Sequence, residues 1–301
     1  MERQVKDIGL RLSYIGSRNR NMNYSIGTNL PEPSLIPFSD DRRPYPQFVG
    51  TWVYRTDGAQ NYDAMSFETN RRVGWVTFDV HWTWAHGMDN TVFVRDGLPV
   101  NPYAPLQWNR DFLARHRVVL NSMWQLPFGH GKRYGSNVSS GVDKAIGGWS
   151  MTWVAYFMTG QFFSPSFSGE DPSNTNNFGG YPDRVCNGNF DPGKRDINHW
   201  FDTTCFQTPA AGRFGNSGAN VLEGPGMQVH NMTFSKNFKL TERLQLDIMT
   251  LVGNIFNHPN FLAPESNVST AGAGVVGSTY GYYAAERANA RMIEFRGRLR
   301  F

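Results

Sequence analysis

The chain has 301 residues, enough for one large domain or two ordinary ones, and carries 29 Lys and Arg against 25 Asp and Glu. That charge is scattered rather than massed, which argues against nucleic-acid binding, and no apolar run reaches the length of a membrane-spanning helix. A helical membrane protein is excluded. A sheet of half-apolar strands is not, and 31 Gly, 9 Trp, 12 Tyr and 22 Phe suit one.

The first ten residues lack the basic segment, apolar core and cleavage site of an export signal. From Lys6 to Ile15, Ile8, Leu10, Leu12 and Tyr14 alternate with Gly9, Arg11 and Ser13, which predicts a strand. Gly16 to Gln47, rich in Asn, Ser, Pro and Arg, reads as loop. Phe48 to Arg55 reads as a second strand, stopped by an Asp57-Gly58 turn, and Tyr62 to Thr69 as a third. A tight connection at Asn70-Arg71-Arg72 leads into Val73 to Ala85. There Val76, Phe78, Val80, Trp82 and Trp84 take one face, and Thr77, Asp79, His81 and Thr83 the other. A dry core would have to satisfy Asp79 and His81, whereas a wet pore would not.

After a polar loop from His86 to Arg115, His116 to Leu126 alternates again. Pro127 to Ser136 holds glycines and Lys132, but the spacing of a phosphate-binding loop is absent and no helix pattern follows, so it reads as a turn. Gly148 to Thr159 is strongly two-periodic. Phe163 to Gly226 is long, polar and irregular, and holds Cys186 and Cys205, a pair compatible with one loop disulfide in an oxidising compartment. Such a stretch is out of place in a compact soluble domain but ordinary as an outer loop of a barrel. Val229 to Phe238 and Leu244 to Val252 are strands joined by the short turn Lys239 to Glu242, and Gly253 to Ala290 is loop. The last stretch, Arg291 to Phe301, puts Ile293, Phe295, Leu299 and Phe301 on one parity and Glu294, Arg296, Arg298 and Arg300 on the other. It predicts an all-β, antiparallel up-and-down transmembrane β-barrel wall. The wall has about nine to ten strands and long extracellular loops, and Asp79, His81, Glu294, Arg296 and Arg298 face its lumen. The loop from Gly16 to Gln47 does not fit this scheme, because counting back from Phe301 places it on the short-turn side.

The residues resemble a known family. Leu12-Ser13-Tyr14-Ile15-Gly16-Ser17, Arg43-Pro44-Tyr45-Pro46, Tyr62-Asp63-Ala64-Met65, Leu126-Pro127-Phe128-Gly129-His130-Gly131-Lys132, Gly147-Gly148-Trp149, Gly224-Pro225-Gly226 and Asn254-Ile255-Phe256-Asn257-His258-Pro259-Asn260-Phe261 occur in this order. The set resembles the C-terminal part of a TonB-dependent outer-membrane receptor of the Oar-like kind, with a carboxypeptidase-regulatory-like N-terminal domain. The resemblance implies one side of a 22-stranded plugged barrel, energy-coupled uptake, and localisation in the bacterial outer membrane. Its implied partners are outer-membrane lipid, the N-terminal remainder of the barrel and plug, TonB, and the barrel assembly machinery, which would read Phe301 as its signal. It further implies that the export signal, plug and regulatory-like domain lie outside this chain, as in a truncated or incomplete reading frame.

Tyr103, Trp108, Trp200 and Phe201 are loop aromatics placed to stack on a ligand; the alternative is that they pack the loops. No cofactor or metal is expected, and no catalysis. The seven His are scattered, and neither a nucleophile elbow nor a His-Glu metal motif is present. Two other readings stand beside the transporter: a passive porin-like or adhesion barrel, and a soluble glycan-binding β-sandwich.

Overall fold

The computed structural model of the chain describes residues 1–5, 7–241, 243–281 and 288–301. Lys6, Glu242 and residues 282–287, which fall within the predicted first strand, the Lys239 to Glu242 turn and the last loop, lie outside the described residues. The strands are β1 (Glu2–Val5), β2 (Ile8–Gly27), β3 (Trp52–Val73), β4 (Val76–Asp89), β5 (Asn109–Arg110), β6 (His116–Gln125) and β7 (Trp149–Met158). Four two-residue strands follow: β8 (Phe162–Phe163), β9 (Asp183–Arg184), β10 (Phe206–Gln207) and β11 (Leu222–Glu223). The last three are β12 (Met227–Lys239), β13 (Gln245–Gly253) and β14 (Met292–Arg300). Short helices α1 (Val92–Arg95) and α2 (Ser140–Ile146) lie in connections. Ten strands form one antiparallel sheet in the order β1-β2-β3-β4-β6-β7-β12-β13-β14, with β5 beside the end of β4. The remaining four pair as β8 with β11 and β9 with β10. Among the described residues the sheet is open, with β1 and β14 at its edges.

Three expectations are corrected. The loop predicted from Gly16 is strand as far as Gly27, paired with β3 through register shifts near Met22. Apart from Met22, residues 17–23 are polar on both faces, so alternation has nothing to report there. Side chains hold the pairing instead: Arg18 to Asp63 at 2.8 and 3.0 Å, Asn19 to Gln60 at 3.0 Å, and Arg20 to Asn61 at 3.0 Å. Asp57-Gly58 is no turn; β3 runs straight through it, with Asp57 accepting the Tyr24 hydroxyl at 2.8 Å. The tight connection sits at Gly74-Trp75, where Gly74 takes φ +55°, and not at Asn70-Arg71-Arg72, which pair with β2 and β4. These shifts resolve the misfit of the first loop. Residues 28–51 now fall at the same end as 90–115, 159–226 and 254–291, opposite Gly74-Trp75, 126–148 and 240–244. Apart from 126–148, which is about as long as the first outer loop, long connections lie at one end and tight ones at the other, which is the barrel pattern with the long loops extracellular.

The register carries one apolar face across the sheet. Leu12 pairs with Phe67, Phe67 with Trp82, Trp82 with Val118 and Val118 with Phe157. Lower down, Trp124 pairs with Met151, Met151 with Phe234, Phe234 with Thr250 and Thr250 with Phe295. Apart from the β6–β7 connection, which folds over Lys236 at the inner end, no second layer of the described chain covers this face: Ile293, Phe295 and Leu299 are 55%, 76% and 51% exposed. A soluble sandwich buries that side, so the sandwich reading falls. From Val76 to Trp84 the strand rises about 26 Å, or about 20 Å once tilted, against a membrane-facing apolar band of roughly 25 Å. Hydrocarbon is the second layer. The buried apolar clusters lie elsewhere, in and under the outer loops: Phe201, Cys205, Phe206 and Leu222 in one, Val92, Tyr181 and Ala219 in another.

Candidate functional site

The outer loops form a packed cap. Arg43 is buried with its Nη1 on the Asn29 carbonyl at 2.7 Å and its Nε on Asp40 at 2.8 Å. Asn29 in turn donates to the carbonyls of Tyr45 and Phe48, which closes the first outer loop around the Arg-Pro-Tyr-Pro motif. That loop is tied to the third through Arg42, whose Nη1 reaches the Asn174 carbonyl at 2.8 Å, and through Asn174 Nδ2 on the Ser34 carbonyl at 2.8 Å. Asp96 accepts from Ser164 Oγ at 2.6 Å and from Tyr181 at 2.9 Å, joining the second loop to the third. Cys186 and Cys205 are bridged inside the third loop, with Cys205 packed among Phe201, Phe206 and Leu222.

The Asn-rich motif of the last outer loop has a local cause. Asn254 and Asn257 adopt positive φ, and Asn254 Nδ2 donates to the carbonyls of His258 and Asn289, both at 2.8 Å. Asn260 accepts the Gln228 N–H at 2.8 Å and donates to the Ala288 carbonyl at 3.1 Å. This pins the loop over the top of the inner face. Val229 and Ala288 are nearly inaccessible there, and Tyr156, Met158 and Tyr280 pack against them. The inner face is therefore apolar at its outer end and polar below.

Lower on that face Asp79 and His81 do meet: His81 Nε2 lies 2.7 Å from an Asp79 oxygen and His81 Nδ1 lies 3.7 Å from Glu68. Asn121 donates to the other Asp79 oxygen at 2.8 Å. Both Asp79 oxygens are thus engaged within the wall, which makes the pair a polar strut rather than two sides of a metal site. On β14, Glu294 and Arg296 pair at 2.6 Å, and Arg298 stands opposite Asp247, which Arg300 also contacts at 2.7 Å. Phe301 is 98% exposed, one residue past the strand.

The four loop aromatics separate. Phe201 is 2% exposed and meets Phe163 and Phe206 edge-on, so no ligand can stack on it. Trp200 lies against the same cluster and donates its indole N–H to the Glu223 carbonyl at 2.8 Å. Both are loop packing. Trp108 stays exposed. Tyr103 borders a cleft of about 540 Å³ in the cap, together with Glu32, Gln107, Tyr181, Arg213 and Asn216. Its hydroxyl bridges the carbonyls of Thr28 and Leu30 at 2.9 and 2.6 Å, and burial beside Glu32 raises its pKa. Arg213 forms a two-pronged pair with Asp183, which cancels the charge it brings to the cleft. Gln107, Asn216 and Arg213 carry no mark of the cleft in the sequence. Nothing in the pattern of a polar loop distinguishes a cleft residue from its neighbours.

A family described as "Outer membrane beta barrel domain" matches residues 1–293. The chain belongs to the outer membrane beta-barrel domain family. It is accordingly a protein of the bacterial outer membrane, whose strands span the bilayer with the greasy face on lipid. Among curated proteins none matches it. Among solved structures, the outer membrane transporter YddB from Escherichia coli is similar over 99% of this chain and 31% of its own length, at 9% identity and a TM-score of 0.48. The chain therefore spans less than a third of that transporter.

Proposed function

We propose that this barrel wall is the C-terminal part of a TonB-dependent receptor of the Oar-like kind, taking up a ligand by energy-coupled transport. The observation that carries the reading is the open sheet with an ordered cap. Two unpaired edges in lipid demand further strands, and a ring of 22 strands, the number the resemblance implies, leaves room for a plug. The ordered motifs along the chain resemble the same family. On this reading the 301 residues are one unit of wall, without plug or regulatory-like domain. The plug and the remaining strands are its partners, TonB acts through them, and the barrel assembly machinery inserts the whole. The chain performs no catalysis.

The ligand, a glycan, a peptide or a metal chelate, would first meet the cap, and the cleft beside Tyr103 is where we place that contact. The mixture of amides and tyrosines there, with Arg213 neutralised, favours an uncharged polar ligand over a strongly anionic one. The test is accumulation of labelled oligosaccharides, peptides and ferric chelates by cells carrying the intact gene. Uptake of one class should cease when a protonophore de-energises the inner membrane, and Tyr103→Ala should weaken it. Uptake that ignores the protonophore would return the passive-pore reading.

A further inference from the structure

On the opposite, periplasmic end, one lysine stands where the lipid-facing parity should be apolar. Lys236 lies between Phe234 and Phe238 on β12 and pairs with Trp149 and Ile248. It is buried, at 4% exposure. The β6–β7 connection folds over it: Lys236 Nζ donates to the Ala145 carbonyl at 3.0 Å and to that of Gly147, just past α2. The rings of Trp149 and Phe238 lie 5.2 and 5.1 Å from the ammonium. Trp149 donates its indole N–H to the same Ala145 carbonyl at 3.0 Å.

Beside it β12 outruns β7, and the gap is a cavity of about 460 Å³. Lys132, Lys144, Lys236 and Lys239 line it with His130. Asp143 is the one carboxylate among its described lining residues, and its Oδ1 is occupied by the His130 N–H. The remaining lining includes Phe128, Phe238 and Leu240. A basic hollow with an apolar lip, at the periplasmic end of β12 and bordered by Phe238 of the lipid-facing parity, matches a phospholipid in both its parts. A free anion would have no use for the lip.

We propose that this hollow seats an anionic phospholipid of the periplasmic leaflet, its phosphate against Lys132, Lys144 and Lys239 and its acyl chains along Trp149 and Phe238. Lys236 positions the loop and is left intact in the test.

The experiment, which rests on the proposed reading, co-expresses the chain with the strands that complete its ring, purifies the assembled barrel from outer membranes in mild detergent and identifies retained lipid by native mass spectrometry. It then measures binding in vesicles of phosphatidylethanolamine with and without phosphatidylglycerol. The wild type should retain phosphatidylglycerol, and K132Q/K144Q/K239Q should lower that affinity by about tenfold to a hundredfold. K132R/K144R/K239R should keep it. Heat-modifiable mobility on gels establishes that each variant is assembled, and the vesicle comparison on the wild type stands without any variant. Equal retention by the glutamine variant overturns the proposal. So does equal binding to phosphatidylethanolamine alone, or complete displacement by inorganic phosphate, which would mark a free-anion site.

Discussion

Asp96 joins two outer loops through two hydroxyls, and the consequence is titratable. Burial, with the Asp96 charge beside it, raises the Tyr181 pKa far above the ordinary tyrosine range. The folded cap thus holds the phenol proton after an unfolded chain would lose it. That contribution is complete below the ordinary tyrosine pKa and is lost as pH climbs toward the raised value. Tyr181 should be among the last phenols to ionise in an ultraviolet titration. Tyr181→Phe should abolish that late step and loosen the cap by roughly 1–2 kcal/mol, read as faster cleavage by protease added outside cells. A second residue-scale expectation concerns the bridge at Cys186 and Cys205, separated by 19 positions. The chain-entropy model gives such a loop about 3 kcal/mol. Cys205→Ser should therefore expose the enclosed segment to protease, and alkylation of native membranes should find no free thiol in the wild type.

At the scale of the element, β6 and β7 divide their side chains between two solvents, and substitutions should divide likewise. Leu120 pairs with Val80 and Ala155 near mid-height of the apolar face. Leu120→Arg should destabilise by about 2–4 kcal/mol, whereas Thr152→Arg on the inner parity should cost far less. Urea unfolding of the assembled protein in vesicles measures both. Topology is checked by tags: one inserted beside the exposed Leu35 and Ile36 should be labelled on whole cells, and one at Gly74-Trp75 should not. The sequence made β4, β7 and β14 legible because their apolar residues recur every second position. It hid the outer halves of β2 and β3 because they stand above the lipid, where neither face needs to be greasy. Arg18, Asn19 and Arg20 are paired by partners some forty positions away, and no local pattern reports that. The cap was harder still. Asn254, Asn257 and Asn260 stood out as a motif, yet their work is to fasten a loop. Phe201 looked like a stacking ring, and only its burial assigns it to the core.

The whole molecule is governed by its edges. Each of β1 and β14 presents a row of backbone N–H and C=O groups with no strand beyond it among the described residues. In hydrocarbon an unpaired polar group costs several kcal/mol, so an edge of nine residues such as β14 outweighs a typical domain stability of 5–15 kcal/mol. In water the same sheet would expose Ile293, Phe295 and Leu299 along a continuous apolar face, a surface that drives association. Neither solvent suits these 301 residues by themselves. Produced alone, they should aggregate in buffer and fail to give the heat-modifiable band of a closed barrel in detergent. Co-expressed with the strands that complete the ring, they should give it. Light scattering and gel mobility on the two preparations decide the matter: a monodisperse folded monomer of the isolated chain in buffer would mean that its own atoms, and not lipid, cover the row running from Leu12 to Phe157.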